Sequence, residues 1–244
     1  MQIDAINLHY RDLNARIREA AAAGETCFTL TGVNGQRYIA DGLRAKIKID
    51  IFGVPGNDLG VFMDGPEITV HNNAQDAIAN TMNDGKIVIC GDAGDVLGYG
   101  MRGGRLYVRG NVGYRVGIHM KAYKEQAPIV VVGESSGDFL GEYMAGGILV
   151  VLCLNGNGLC KVGDYIGTGM HGGSIYLRGE VDPYLVATEH VGISAAGEED
   201  MEILRPIVRD YCAQFDLDPE KVLNLPFTRL TPVSHRPFGD KYAT

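Results

Sequence analysis

The sequence predicts an all-β fold: a parallel β-helix, a single-stranded solenoid of glycine-rich coils flanked by helices. Three observations point there. Glycine makes up 34 of 244 residues, and 27 of the 34 fall between Gly53 and Gly179. Met63, Met82, Met101 and Met120 recur at intervals of 19, and Met144 and Met170 follow after 24 and 26. Alternating apolar runs recur with them: Ile68/Val70, Ile87/Ile89, Leu106/Val108 and Ile175/Leu177.

Glycine at this density excludes packed helices, because each interior glycine costs about 1 kcal/mol relative to alanine. The clearest repeat runs from Gly91 to Gly110, with Gly94 and Gly98 before Met101 and the pair Gly103-Gly104 after it. Gly60, Ala79, Gly98, Gly117, Gly141 and Gly167 stand three residues before the six methionines. Gly56, Gly94, Gly113, Gly137 and Gly163 stand seven before, with Gln75 as the exception. One copy cannot bury its apolar face alone, whereas stacked copies about 4.8 Å apart can. Six coils are therefore expected between Ile47 and Glu180, wound right-handed by the general crossover preference, with the methionines forming an inward ladder. The longer intervals place loops at 123–128 and 155–160, where contacts with partners tend to lie.

The flanks complete a three-part division. Residues 1–46 read as a helix-and-hairpin cap: Tyr10, Leu13, Ile17, Ala20 and Ala21 share a helical face closed by Gly24, and Asn34-Gly35 is a hairpin signal. Residues 47–182 are the β-helix. Residues 183–244 hold an amphipathic helix from Glu198 to Phe215, bent at Pro206, a further helical turn opened by Asp218-Pro219, and an extended tail from Phe227. That tail is expected to lie across another surface, so that its removal would leave the β-helix folded.

Several functions are excluded. The formal net charge of −8, without a basic run, argues against nucleic acid. No apolar stretch reaches the length of about 18 residues that suggests a membrane span, and the first residues lack a signal-peptide profile. Five cysteines without a CxxC pair predict a reduced, cytoplasmic setting.

No residue earns a catalytic, cofactor-binding or metal role. The two GxGxxG matches, Gly98–Gly103 and Gly167–Gly172, are followed by strands where a nucleotide fingerprint needs a helix, so they read as corners. Cys153 and Cys160 are half a metal site without a second half. His119 and His171 flank repeat methionines and read as structural. Asp92, Asp95, Asp138 and Asp164 recur at corners, which favours turn capping over catalysis, since a catalytic pair belongs to one coil. Arg102, Arg105, Arg109 and Arg115 fit solvated charges or interface contacts as well as ligand clamps.

The corners Gly53-Val-Pro-Gly56-Asn-Asp-Leu-Gly60, Gly91 to Gly98, and Gly110-Asn-Val-Gly113-Tyr-Arg-Val-Gly117 resemble the GXGXG domain that closes the large subunit of glutamate synthase. Asn80 to Gly85, Gly137 to Gly147 and Gly167 to Gly173 strengthen the likeness, which covers about Ile47 to Glu180 and extends to the C-terminal helix and tail. The resemblance implies a right-handed β-helix that acts as a non-catalytic scaffold in an oxidoreductase complex for glutamate biosynthesis. Glutaminase and FMN-binding subunits would be its partners, with FMN and an iron–sulfur cluster bound there and no cofactor in this chain. The residues agree: position 2 is Gln where a glutaminase of that type needs Cys, and neither a βα alternation nor a cysteine cluster is present. Equivalent subunits of methylamine–glutamate N-methyltransferase and formylmethanofuran dehydrogenase are similar, and homo-oligomerisation is left open. The alternative from another class is an independent carbohydrate-active β-helix enzyme, which would need a non-repeating acidic cluster in an open groove.

Overall fold

The methionines tie each coil to the next. The carbonyls of Met63, Met82, Met101, Met120 and Met144 accept hydrogen bonds from the amides of Asn83, Arg102, Lys121, Ala145 and His171 in the following coil. All six repeat methionines are at most 1% exposed. The computed structural model describes residues 1–123, 125–156 and 158–233, and it is a parallel β-solenoid of about six turns.

The elements follow in chain order: β1 (Gln2–Asp4), α1 (Tyr10–Ala22), β2 (Cys27–Asn34), β3 (Lys48–Val54), β4 (Asp64–Val70), β5 (Asp84–Ile89) and β6 (Arg105–Val108). Then come β7 (Ile129–Val132), β8 (Ala145–Val151), β9 (Gly172–Arg178), β10 (Val191–Ala195), α2 (Glu198–Gln214), α3 (Pro219–Leu223) and β11 (Phe227–Pro232). One sheet contains all eleven strands in the order β1 to β9, then β11, then β10. Strands β1 to β9 pair in parallel, each with its neighbour in sequence.

Register decides which side chains form the core. Ile51, Val70, Ile89, Val108, Val132, Val151 and Leu177 occupy one inward column and have no exposed surface. Losing one large rung of such a column costs about 2–5 kcal/mol, because the rungs above and below cannot collapse into the space. The neighbouring column, facing outward, runs Thr29, Asp50, Thr69, Val88, Tyr107, Val131, Val150, Tyr176. Helix α2 lies over its later part, burying Leu204, Ile207, Val208, Tyr211 and Cys212 against Val88, Tyr107, Val131, Val150 and Tyr176. Arg178 fastens α3 to the same region, donating to the carbonyls of Val222, Lys221 and Leu152 and to Asn224 Oδ1.

Three expectations need correction. The hairpin at Asn34-Gly35 does not form: β2 pairs in parallel with both β1 and β3, and Gly35, at φ +79°, turns the chain around a solenoid corner. The coil it opens contains Leu43 where later coils carry methionine, and the Leu43 carbonyl accepts from Asp64 as the methionine carbonyls do higher up. The tail does not simply lie across a surface. Phe227–Pro232 is strand β11, inserted antiparallel between β9 and β10, so deletion after Pro226 removes a strand from the sheet; residues 234–244 of that tail lie outside the described residues. Finally, Cys153 and Cys160 are joined in a disulfide, where the sequence reading placed all five cysteines as reduced thiols. Their separation of seven residues spans an inserted loop that brings the two ends together.

Candidate functional site

The corners carry the densest polar chemistry, and they show what the repeat glycines do. Asp76 Oδ1 accepts the amide of Asp95 at 2.9 Å, and Asp95 Oδ1 accepts the amide of Tyr114 at 2.9 Å. Asp92 does the same for Asn111 at 2.7 Å, and Asp138 for Asp164 at 3.0 Å. Each carboxylate thus caps an amide one coil above it. A Cβ at Gly94 or Gly113 would collide with Asp76 Oδ1 or Asp95 Oδ1, so the glycine of one coil makes room for the aspartate of the coil below. These carboxylates are distributed along the solenoid and act on backbone, as a turn-capping role requires.

Two columns at the corners take the left-handed backbone conformation in every coil. One holds Asp58, Ala77, Val96, Arg115, Phe139 and Tyr165, at φ of +57 to +63°. The other holds Phe62, Thr81, Gly100, His119, Tyr143 and Gly169, at φ of +51 to +66°. For an L-residue this conformation costs about 1 kcal/mol or more relative to glycine. In the later coils the columns nevertheless carry large rings. His119 stacks on Tyr143 at 5.3 Å, Phe139 stacks on Tyr165 at 5.1 Å, and Tyr99 meets the edge of His119 at 5.7 Å. Arg115 joins the columns, with its guanidinium 4.8 Å from the Phe139 ring centre and 2.7 Å from Glu142 Oε2. Tyr99, Tyr143 and Tyr165 remain 39, 45 and 57% exposed.

The other polar centre lies where α2 meets the sheet. Asp210 accepts from Tyr107 Oη at 2.8 Å, from Lys86 Nζ at 3.0 Å and from Arg105. Burial alone would raise the Asp210 carboxyl, but hydrogen bonds from Tyr107, Lys86 and Arg105 outweigh it and hold the group below the ordinary carboxylate range. Burial and the hydrogen bond to Asp210 push the Tyr107 phenol up. A groove of about 520 Å³ runs beside this cluster, lined among others by Lys46, Lys48, Glu67, Asp84, Lys86 and Arg105. Lys48 faces Glu67 at 3.6 Å, and Lys86 and Arg105 are engaged with Asp210, so three of its four cations already have partners. The cluster is a clamp for α2.

Nucleophile and metal chemistry find little support. Burial pushes the Cys90 thiol up and the Cys212 thiol up to about 11, away from the thiolate that a nucleophile needs. Among the described residues no group of three His, Cys, Asp or Glu side chains is placed to hold a metal ion. The donor set does not fit an iron–sulfur cluster either: Cys27 is in β2, Cys90 follows β5, Cys212 is in α2, and the remaining two are disulfide-bonded. Of the residues singled out in the sequence, Asp92, Asp95 and Asp138 cap corners, and Asp164 supplies the amide that Asp138 caps. Arg105 clamps Asp210, Arg102 is exposed, and Arg109 lines a smaller cavity beside Arg178. Arg115 and His119 meet in the ring columns, an association that residue type alone did not signal. The alignment of Tyr143 with Gly100 and Gly169 in the repeat was the available clue.

Comparison with known proteins places this architecture. A Methanocaldococcus jannaschii protein, MJ1350, is 50% identical over 253 residues, covering 98% of this chain and 95% of that protein. The ferredoxin-dependent glutamate synthase of Pyropia yezoensis is 31% identical over 191 residues, which is 72% of this chain and 12% of the synthase. Ferredoxin-dependent glutamate synthase 2 of Synechocystis is 30% identical over the same shares. This chain therefore spans about an eighth of the length of either synthase. In fold it is similar to a chain of the formyltransferase/hydrolase complex of Methylorubrum extorquens, solved with methylofuran, with a TM-score of 0.65, 18% identity, and coverage of 94% of this chain and 89% of that one. The family described by the GXGXG motif matches residues 21–231, from the end of α1 to β11, and the chain belongs to it.

Proposed function

We propose that this chain is a non-catalytic scaffold subunit of a glutamate synthase-like complex. It would hold a glutaminase subunit and an FMN- and iron–sulfur-bearing subunit in fixed relation, for glutamate formation from glutamine and 2-oxoglutarate. The observation that carries the reading is a proportion: glutamate synthases match 72% of this chain with 12% of their own length, so the chain corresponds to one part of a larger machine. The corner carboxylates support it, because they are consumed in capping backbone amides. The likeness to a chain of the formyltransferase/hydrolase complex favours a second reading, an equivalent subunit of a formylmethanofuran dehydrogenase-type assembly. Among the described residues no helix is long and apolar enough to cross a membrane.

The test is reconstitution. The purified chain is expected to be colourless and to release no ammonia from glutamine. When it is co-expressed with glutaminase and FMN-barrel subunits from the same genome, the three should co-elute, and glutamine-dependent glutamate formation should require this chain. Turnover of glutamine or 2-oxoglutarate by the chain alone would overturn the proposal.

A further inference from the structure

One corner of the solenoid is closed by a covalent bond. The Cys153–Cys160 disulfide joins the two ends of the inserted loop 154–159, and its partners stand seven residues apart. Among the described residues of that loop none is buried: Leu154 is half-buried, Asn155 is exposed and Leu159 is 57% exposed. The two cysteines at its root, 4 and 3% exposed, are the part that enters the core. Outside contacts are few. Asn155 bonds to the carboxylate of Glu134, and the amide of Leu154 to the carbonyl of Gly133. In the last coil Glu180 donates to the Gly158 carbonyl and accepts from the Cys160 amide. Cys153 itself holds φ of +45°, a left-handed conformation that a residue with a Cβ keeps only where its surroundings hold it. A segment with so little buried apolar surface opens at low local free energy, so the bond at its root decides whether it stays in place.

We propose that Cys153 and Cys160 form a thiol–disulfide exchange site, reduced by a dithiol, whose state decides whether the loop 154–159 stays docked on the last coil. A thiolate of the dithiol attacks one sulfur of the pair. The Cys153–Cys160 bond breaks, a mixed disulfide forms, and the other cysteine leaves as a thiolate that takes up a proton. The second thiol of the reductant gives up its proton and displaces the remaining protein sulfur, which is protonated in turn, and the reductant departs as its own disulfide. The cysteine pair gains two electrons and two protons, and the dithiol loses them. Both sulfurs are shielded, so attack follows a brief opening of the loop. Release has a defined reach. Glu180 loses both of its hydrogen bonds to the loop, and Leu159 loses its bridge to Glu180. A cavity of about 220 Å³ lined by Asn111, Glu134 and Lys161 loses the wall that Cys153, Asn155 and Gly156 supply. The remaining cysteines lie on other elements, Cys27 in β2, Cys90 after β5 and Cys212 in α2, so on oxidation the pair closes again with itself. Cys27 and Cys90 are exposed free thiols, and where exposed thiols stay reduced a disulfide is usually one that cycles. The inference does not depend on the scaffold reading.

The test is a redox titration of the full chain in mixtures of reduced and oxidised dithiothreitol, read by alkylating the protein after unfolding and measuring its mass. The thiol count should pass reversibly between three and five, with the far-ultraviolet circular dichroism unchanged. On reduction, hydrogen exchange at the amides of Leu159, Cys160 and Glu180 should rise at least tenfold, while the amides of β3 to β7 keep their rates. The double variant Cys153→Ser/Cys160→Ser should show the fast exchange in either buffer, and if it fails to fold the wild-type titration still decides. A bond that is reduced only after urea has unfolded the chain is a permanent staple, and the inference is then overturned. It is overturned equally by a reduced chain whose loop amides exchange at the oxidised rate, by a rise spread evenly over all strands, or by five thiols in the fully oxidised buffer.

Discussion

The outer column of the sheet passes through two environments on one backbone. In β2 to β4 it reads Thr29, Asp50, Thr69, all partly exposed. In β5 to β9 it reads Val88, Tyr107, Val131, Val150, Tyr176, each at most 4% exposed beneath α2 and the segments that follow it. The inward column shows no such change, running from Leu30 and Ile51 to Leu177 with apolar side chains throughout. Strand pairing is therefore not what separates the two halves. The difference lies in what covers the outer face, and the side chains alter at the edge of that cover. Asp210 marks this edge, held by Lys86, Arg105 and Tyr107.

The comparison can be broken most directly by placing the same charge on both halves. Val131→Asp puts an unpaired carboxylate beneath α2 and should cost about 4 kcal/mol, whereas Thr69→Asp should change stability by less than about 0.5 kcal/mol. Urea unfolding of both variants gives the answer, and equal midpoints would mean that α2 does not seal the later coils. A smaller loss is expected at Arg178, which ties α3 to the covered half through three carbonyls and Asn224. Arg178→Met should cost about 3 kcal/mol and should raise hydrogen exchange in α3 before the solenoid strands. An exchange pattern that rises evenly would show that the cap and the coils unfold as one unit.

The smallest effect sharpens the boundary. Asp210→Asn should lose about 1–2 kcal/mol near neutrality. The folded carboxyl titrates below its unfolded value of about 3.9, so its contribution is present above that value and is lost as pH falls through the depressed one. The variant should accordingly show a flatter loss of stability below about pH 4 than the wild-type chain. Identical acid limbs in thermal melts would deny Asp210 its role at the edge.

Most of the solenoid was readable because its period is written in residues that recur at equivalent positions of successive coils. The methionines fall on one inward position, and each glycine beside a capping aspartate leaves the space that the carboxylate occupies. The first coil escaped because Leu43 replaces the marker methionine, and because Asn34-Gly35 serves a solenoid corner as readily as a hairpin. β11 escaped because an antiparallel strand that returns from the far side of a helix leaves no periodic mark, and its last residue is Pro232. The Cys153–Cys160 link depends on how the inserted loop closes, which spacing does not encode. The ring columns were hidden for the opposite reason: tyrosine and phenylalanine give no sign of a left-handed backbone, and only their alignment with glycines in other coils does.

The insertion of β11 beside β9 bears on how the chain is made. Gly179, the residue after β9, accepts a hydrogen bond from Thr228 in β11 across 49 residues of sequence. During synthesis the edge of β9 is complete well before the strand that covers it has emerged. At about 5–20 residues per second that interval lasts several seconds, while strands pair within microseconds. A nascent chain in this state carries a flat, unpaired parallel edge that a neighbouring nascent chain on the same messenger can copy. Slow translation of the segment between Arg178 and Phe227 should therefore raise the insoluble fraction.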